Sequence, residues 1–154
     1  VNTTGSVTVA RERAEVYAFV SDPRRLAACI PGCTNLRELE AGTYAATLSS
    51  RVGFLTAKFD VMVKIVREDP GAAIDATIAG TAVGMPGRLE AKAGVVLADA
   101  AGGGTLIRYA VDVALTGKLG GLGQPVFRAK SEELAREFGA NLASALDAAR
   151  GSRA

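Results

Sequence analysis

The chain has no histidine and no tryptophan, and only two cysteines, two methionines and five prolines in 154 residues. Without histidine there is no usual general base, no commonest metal ligand, and no Ser-His or Cys-His nucleophile pair. Cys29 and Cys33 are spaced C-x-x-x-C rather than C-x-x-C, and no further Cys or His completes a zinc set. They read as structural, reduced thiols, and no metal site is expected. A net charge of +2 is too small to mark a nucleic-acid partner. No apolar run approaches the roughly 18 residues of a membrane span, and the first residues lack the basic-then-apolar pattern of a secretory signal. With 49% hydrophobic and 22% charged residues, the composition is not that of a disordered chain. What is abundant is small: 29 alanines and 18 glycines against eight aromatics. The length suits one domain, residues 1–154, large enough to fold around its own core.

Periodicity divides the chain. Thr4 to Ala10 alternates weakly as a strand, with Val7 and Val9 on one face. Arg11 to Val20 carries Val16, Phe19 and Val20 at helical spacing. Asp22-Pro23 then caps a second short helix to Ile30, which Pro31-Gly32 ends. From there the period is two. Strands are expected over Leu36–Glu40, Thr43–Val52, Leu55–Val66, Ala72–Gly80, Arg88–Ala98 and Thr105–Thr116, separated by Gly- and Pro-bearing turns. Each longer strand has a dry face and a wet one. Asp60, Glu90 and Asp112 fall on the wet face beside Lys58, Lys92 and Arg108, as cross-strand charge pairs would. The dry face carries no ionisable group other than tyrosine, which argues against hydrolytic or proton-transfer chemistry. From Gln124 to Arg150 one apolar stripe holds Phe127, Leu134, Phe138 and Leu142. The expectation is an α+β fold: a seven-stranded curved antiparallel sheet wrapped around a long C-terminal helix, with two short helices after strand 1.

Local motifs sharpen this. Val20-Ser21-Asp22-Pro23 with Leu26-Ala27-Ala28-Cys29-Ile30-Pro31-Gly32-Cys33 resembles a signature of the carbon monoxide dehydrogenase G-subunit family. So do Arg51 to Phe59, Gly102-Gly103-Gly104-Thr105 with Tyr109-Ala110-Val111-Asp112, and Gly117 to Gly123. The resemblance implies the helix-grip fold of the START and birch-pollen-allergen-like superfamily. It also implies an accessory protein of molybdenum-containing dehydrogenases of the carbon monoxide dehydrogenase type, cytoplasmic and peripheral at the inner face of the membrane. Its ligand would be a non-covalent, menaquinone- or ubiquinone-like quinone. Many members carry a linker and an apolar tail after this domain; the present sequence runs to Gly151-Ser152-Arg153-Ala154.

The residues support a ligand site independently. Alternate loops of a meander share one end of the sheet, and at one end their tips are Ile30, Phe54, Met85, Leu119 and Leu122. Clustered apolar tips mark a portal or docking surface, unless they fold back as a plug. The Gly117 to Gly123 run lacks the G-x-x-x-x-G-K-[ST] order, so it reads as a portal hinge rather than a phosphate cradle. Inward alanines must be met by large residues or by a ligand. This predicts an apolar cavity of roughly 300–1,000 Å³, unless the sheet flattens onto the helix. Its expected lining is Tyr44, Ala57, Phe59, Val61, Ile78, Ala91, Tyr109, Val111, Phe127, Phe138 and Leu142. Tyr44 and Tyr109 hydroxyls would meet a quinone carbonyl or, alternatively, backbone or water. The leading expectation is a non-enzymatic carrier of a hydrophobic small molecule or lipid. An assembly or recruitment factor comes second, and a cyclase-type enzyme of the same superfamily third.

Overall fold

A computed structural model of the chain describes residues 1–52, 55–117 and 124–151. The elements run β1 (Asn2–Val9), α1 (Arg13–Val20), α2 (Pro23–Cys29), β2 (Cys33–Glu40), β3 (Thr43–Val52), β4 (Leu55–Asp69), β5 (Ala73–Ala82), β6 (Gly87–Asp99), β7 (Thr105–Gly117) and α3 (Gln124–Gly151). All strand pairs are antiparallel, in the spatial order β1-β7-β6-β5-β4-β3-β2. The six-strand meander therefore takes β1 as a seventh strand beside its last. This is the α+β helix-grip arrangement expected from the sequence.

The short helices follow their local chemistry. Asp22 accepts the Arg24 amide at 3.1 Å and Pro23 opens α2, a cap worth about 1 kcal/mol. The first helix begins two residues later than its periodicity suggests because Arg11 is committed elsewhere. Its carbonyl accepts the Thr105 hydroxyl at 2.6 Å, and its buried guanidinium pairs with Glu15 and donates to the Leu146 carbonyl. Gly32 takes φ +78° and lies so close to the Ser49 carbonyl that no Cβ fits between them, which seats the end of α2 on β3.

Two strands depart from simple alternation. In β2, Asn35 has φ +56°, and register shifts fall between Thr34 and Arg37 and between Glu38 and Glu40. The strand consequently starts three residues before the alternating stretch. In β4, a shift between Ile65 and Arg67 places Glu68 opposite the buried Ile74. Glu68 thus lies on the inner face, which corrects the expectation that tyrosine is the only ionisable residue there. A bulge adds one residue to one strand and so reverses the side on which later residues fall.

The closest backbone approaches of α3 to the sheet are to β1 and, on the far side, to β3. Four strands lie between those two in the sheet order, so the sheet curls around the helix. Asn141 donates to the Cys29 carbonyl at 3.0 Å and ties α3 to α2.

Candidate functional site

The inner face holds two apolar clusters that differ in what covers them. In the first, β1, β5, β6 and β7 contribute Val9, Ile74, Leu97 and Ile107. α1, α2 and α3 contribute Val16, Phe19, Val20, Cys29, Leu142 and Leu146. Ile107 and Leu142 are both 0% exposed. The second cluster is Ala46, Ala57, Phe59 and Val61, with Leu36, Leu48, Val63, Ile78, Met85, Leu89 and Leu115 packed against it. Its described members come from strands and the β5–β6 loop, and none from a helix.

Between the clusters runs a floor of small side chains. Pairing aligns Tyr44, Val63, Ile78, Ala91 and Val113 in one inner row, and Ile65, Ala76, Ala93, Val111 and Thr3 in the next. Ala76, Ala93, Val111 and Val113 are only half-buried although they point inward. Along α3, Phe127, Leu134 and Phe138 are likewise half-buried, and full burial begins at Gly139. The helix is buried over its second half and only half-buried over its first. Apolar surface on the first half of α3 and on the alanine rows thus stays partly uncovered.

Glycine and tyrosine set where the closure stops. Tyr109 meets Phe138 edge-to-face with ring centroids 5.0 Å apart, and its hydroxyl donates to the Ala135 carbonyl at 3.1 Å. A side chain at either Gly5 or Gly139 would collide with Tyr109. The two glycines let β1 and α3 close on this ring. Tyr44, on β3, stands opposite Glu38 in the strand pairing, and the carboxylates of Glu38, Glu68 and Asp22 are near enough to act on its phenol. Burial first, then these carboxylates, push the Tyr44 phenol above its ordinary range, and burial alone does so for Tyr109.

The predicted lining residues therefore divide. Ala57, Phe59, Val61 and Ile78 belong to the helix-free cluster, while Tyr109, Phe138 and Leu142 belong to the closed one. Ala91, Val111, Tyr44 and Phe127 lie outside both clusters. Of the predicted portal, Ile30 is 37% exposed, and Met85 folds back onto the helix-free cluster. Phe54, Leu119 and Leu122 lie outside the described residues. Val83 and Val126, 43% and 47% exposed, add apolar surface in the β5–β6 loop and the first turn of α3.

Several features were missed by sequence reading. Glu38 and Glu68 reach the inner side through strand irregularities, whose one sequence hint is the apolar Val66 at an outward position. The hydroxyls of Thr3 and Ser50 are buried without a hydrogen-bond partner, and both belong to inner-face rows. The outer face carries an open groove of about 870 Å³, floored by Gly94 and Ala110 and rimmed by Asp75, Lys92, Arg108 and Asp112. It is wide and charged at its rim, and so ill suited to enclosing an apolar molecule. Both thiols are raised by burial, which makes them poor nucleophiles. Among the described residues no cluster of acidic and cysteine side chains could hold a metal ion, and no helix is long and apolar enough to cross a membrane.

Comparison with known proteins adds the following. The family model for the G subunit of carbon monoxide dehydrogenase (CoxG) matches residues 5–147. No curated protein sequence matches significantly. Among solved structures, a conserved protein from Geobacillus kaustophilus superposes with a TM-score of 0.82 at 22% identity, over 94% of this chain and 93% of that one. TTHA0849 from Thermus thermophilus gives 0.69 at 13% identity, over 97% and 99%. The Zhui aromatase/cyclase from Streptomyces sp. R1128 gives 0.67 at 16% identity, over 94% and 92%. At these identities the likeness establishes the shared fold.

Proposed function

We propose that this chain, which belongs to the carbon monoxide dehydrogenase G-subunit (CoxG) family, is a non-enzymatic carrier for a hydrophobic, quinone-like lipid. The observation that carries the reading is the half-burial of Ala76, Ala93 and Val111 on the inner sheet face together with Phe127, Leu134 and Phe138 on α3. Half-buried apolar surface on both layers is what a lipid would cover. Burial at roughly 25 cal/mol per Å² of apolar surface would supply the affinity. Ile30 after α2, Val83 in the β5–β6 loop and Val126 in the first turn of α3 are exposed apolar side chains. A ligand would load and leave beside them, against a membrane surface or against the dehydrogenase that the family name implies as partner. The chain would work in the cytoplasm, peripheral to the inner face of the membrane, with a menaquinone- or ubiquinone-like molecule held without a covalent bond.

Native mass spectrometry of the protein taken from cells should find a lipid mass bound. A bare chain that also fails to bind a short-chain quinone in titration would overturn the reading.

The family name itself favours a second reading, recruitment or assembly of a molybdenum-containing dehydrogenase with ligand binding incidental. A pull-down that recovers dehydrogenase subunits equally well with Ala57→Phe or Ala91→Phe would favour it over the carrier.

A further inference from the structure

We infer that a small cavity where α1, α2 and α3 meet is a binding site for a short-chain monocarboxylic acid. The cavity holds about 250 Å³, below the roughly 300–1,000 Å³ of a pocket for a drug-sized ligand, so its occupant is small. Arg11, Glu15 and Arg25 bring charge to it, and Ala14, Ala18, Phe19 and Leu146 form its apolar walls. Ala14 and Ala18 stand one turn apart on α1, and Leu146 is in the buried second half of α3. The site is therefore separate from the half-buried surface on the first half of that helix, and it is independent of the carrier reading.

The charges say what the occupant is. Arg11 is 7% exposed, and a buried guanidinium needs a counter-charge and acceptors for its five N–H groups. Glu15 gives the counter-charge, and the Leu146 carbonyl accepts from Nη1 at 3.4 Å. These two partners hold Arg11 in place and neutralise it. Arg25 is different. It is exposed, its guanidinium carbon lies 4.9 Å from the centroid of the Phe19 ring, and it makes no ion pair among the described residues. Stacking on the ring holds the guanidinium plane and leaves its N–H edge for a carboxylate, which that edge can grip with two parallel bonds. Two guanidinium charges against one carboxylate leave a single positive charge around the cavity. A monoanion neutralises it, whereas a dianion would leave excess negative charge beside Glu15. The four apolar walls then favour a short hydrocarbon body behind the carboxylate.

The test titrates the isotope-labelled full chain, in about 0.15 M sodium chloride to screen loose surface binding, with butyrate, with its neutral isostere butyramide and with inorganic phosphate. Butyrate should shift the amides of Ala14, Ala18, Phe19 and Leu146 saturably. Butyramide should bind at least about tenfold more weakly, because it lacks the charge that Arg25 meets, and Arg25→Gln should weaken butyrate by about tenfold. Ala18→Leu, which fills the cavity from its exposed wall, should abolish butyrate binding. Both substitutions are at exposed positions, so each variant should melt within about 3 °C of wild type. Absence of saturable shifts at these four amides, equal affinities for butyrate and butyramide, or an Arg25→Gln chain that binds butyrate as the wild type does would overturn the site. Phosphate binding more tightly than butyrate at the same amides would overturn the choice of a monocarboxylate. Decyl-benzoquinone binding should be unchanged in both variants, so failure of this site leaves the carrier reading standing.

Discussion

The two ends of the inner sheet face are built from the same alternating strands and end in different states. Toward Val9, Leu97 and Ile107, three helices supply large side chains and the space is filled. Toward Phe59, Leu89 and Leu115, the described partners are strands and one loop; Ala46, Ala57, Phe59 and Val61 are buried there, while Leu89, Leu115 and Met85 stay half-buried. The difference comes less from hydrophobicity than from size and from who supplies the second layer. Gly5 and Gly139 allow α3 to close on Tyr109. Beyond that point the alanine rows offer the helix only small side chains. One end therefore stores more of the stability than the other.

The largest expected effect is on that division of stability. Leu142→Ala, at a fully buried position of the closed end, should cost about 2–5 kcal/mol in urea unfolding. Leu89→Ala, at a half-buried position of the open end, should cost about 1 kcal/mol, because much of its surface already meets solvent. Equal losses would erase the distinction between the ends. Next, Gly139→Ala should destabilise by about 1–3 kcal/mol through collision with the Tyr109 hydroxyl. Tyr109→Phe removes that oxygen, so the double mutant should recover part of the loss. A strictly additive cycle would show that the ring does not set the helix position.

Filling the floor sharpens the comparison from the other side. Ala93→Leu should change stability by no more than about 1 kcal/mol if space lies above it, and abolish decyl-benzoquinone binding. A loss of about 1–3 kcal/mol would instead mean a packed floor.

The smallest effect is alkaline. Burial raises Tyr109, and burial with nearby carboxylates raises Tyr17 and Tyr44, above the ordinary value of 10.0. A raised folded value means that the neutral phenol favours folding. Its contribution is complete below pH 10.0 and falls as pH rises through the folded values. Phenolate absorbance should therefore develop above pH 10.0, with a later onset than in the unfolded chain, and Tyr109→Phe should lessen the alkaline loss of stability.

Much of this was legible in the sequence. Apolar period two over β3 to β7, the Asp22-Pro23 cap and the stripe from Phe127 to Leu142 gave the layers and the inward alanines. Two kinds of information were not. A bulge carries no reliable sequence mark, so the side taken by Glu68 depended on one register shift in β4. Hydrogen-bond allegiance is also set in three dimensions. Tyr44 and Tyr109 left two readings open in sequence, a headgroup contact or a backbone or water partner, and the folded chain gives the Tyr109 proton to the Ala135 carbonyl.

The most direct test of the central claim is a nuclear magnetic resonance titration of the isotope-labelled chain with decyl-benzoquinone, read amide by amide. The account predicts shifts concentrated at Ile78, Ala91, Ala93, Val111 and Leu134, with Val16, Ile107 and Leu146 little changed. Shifts confined to the outer groove around Gly94, Arg108 and Ala110, or no saturable shifts at all, would contradict it.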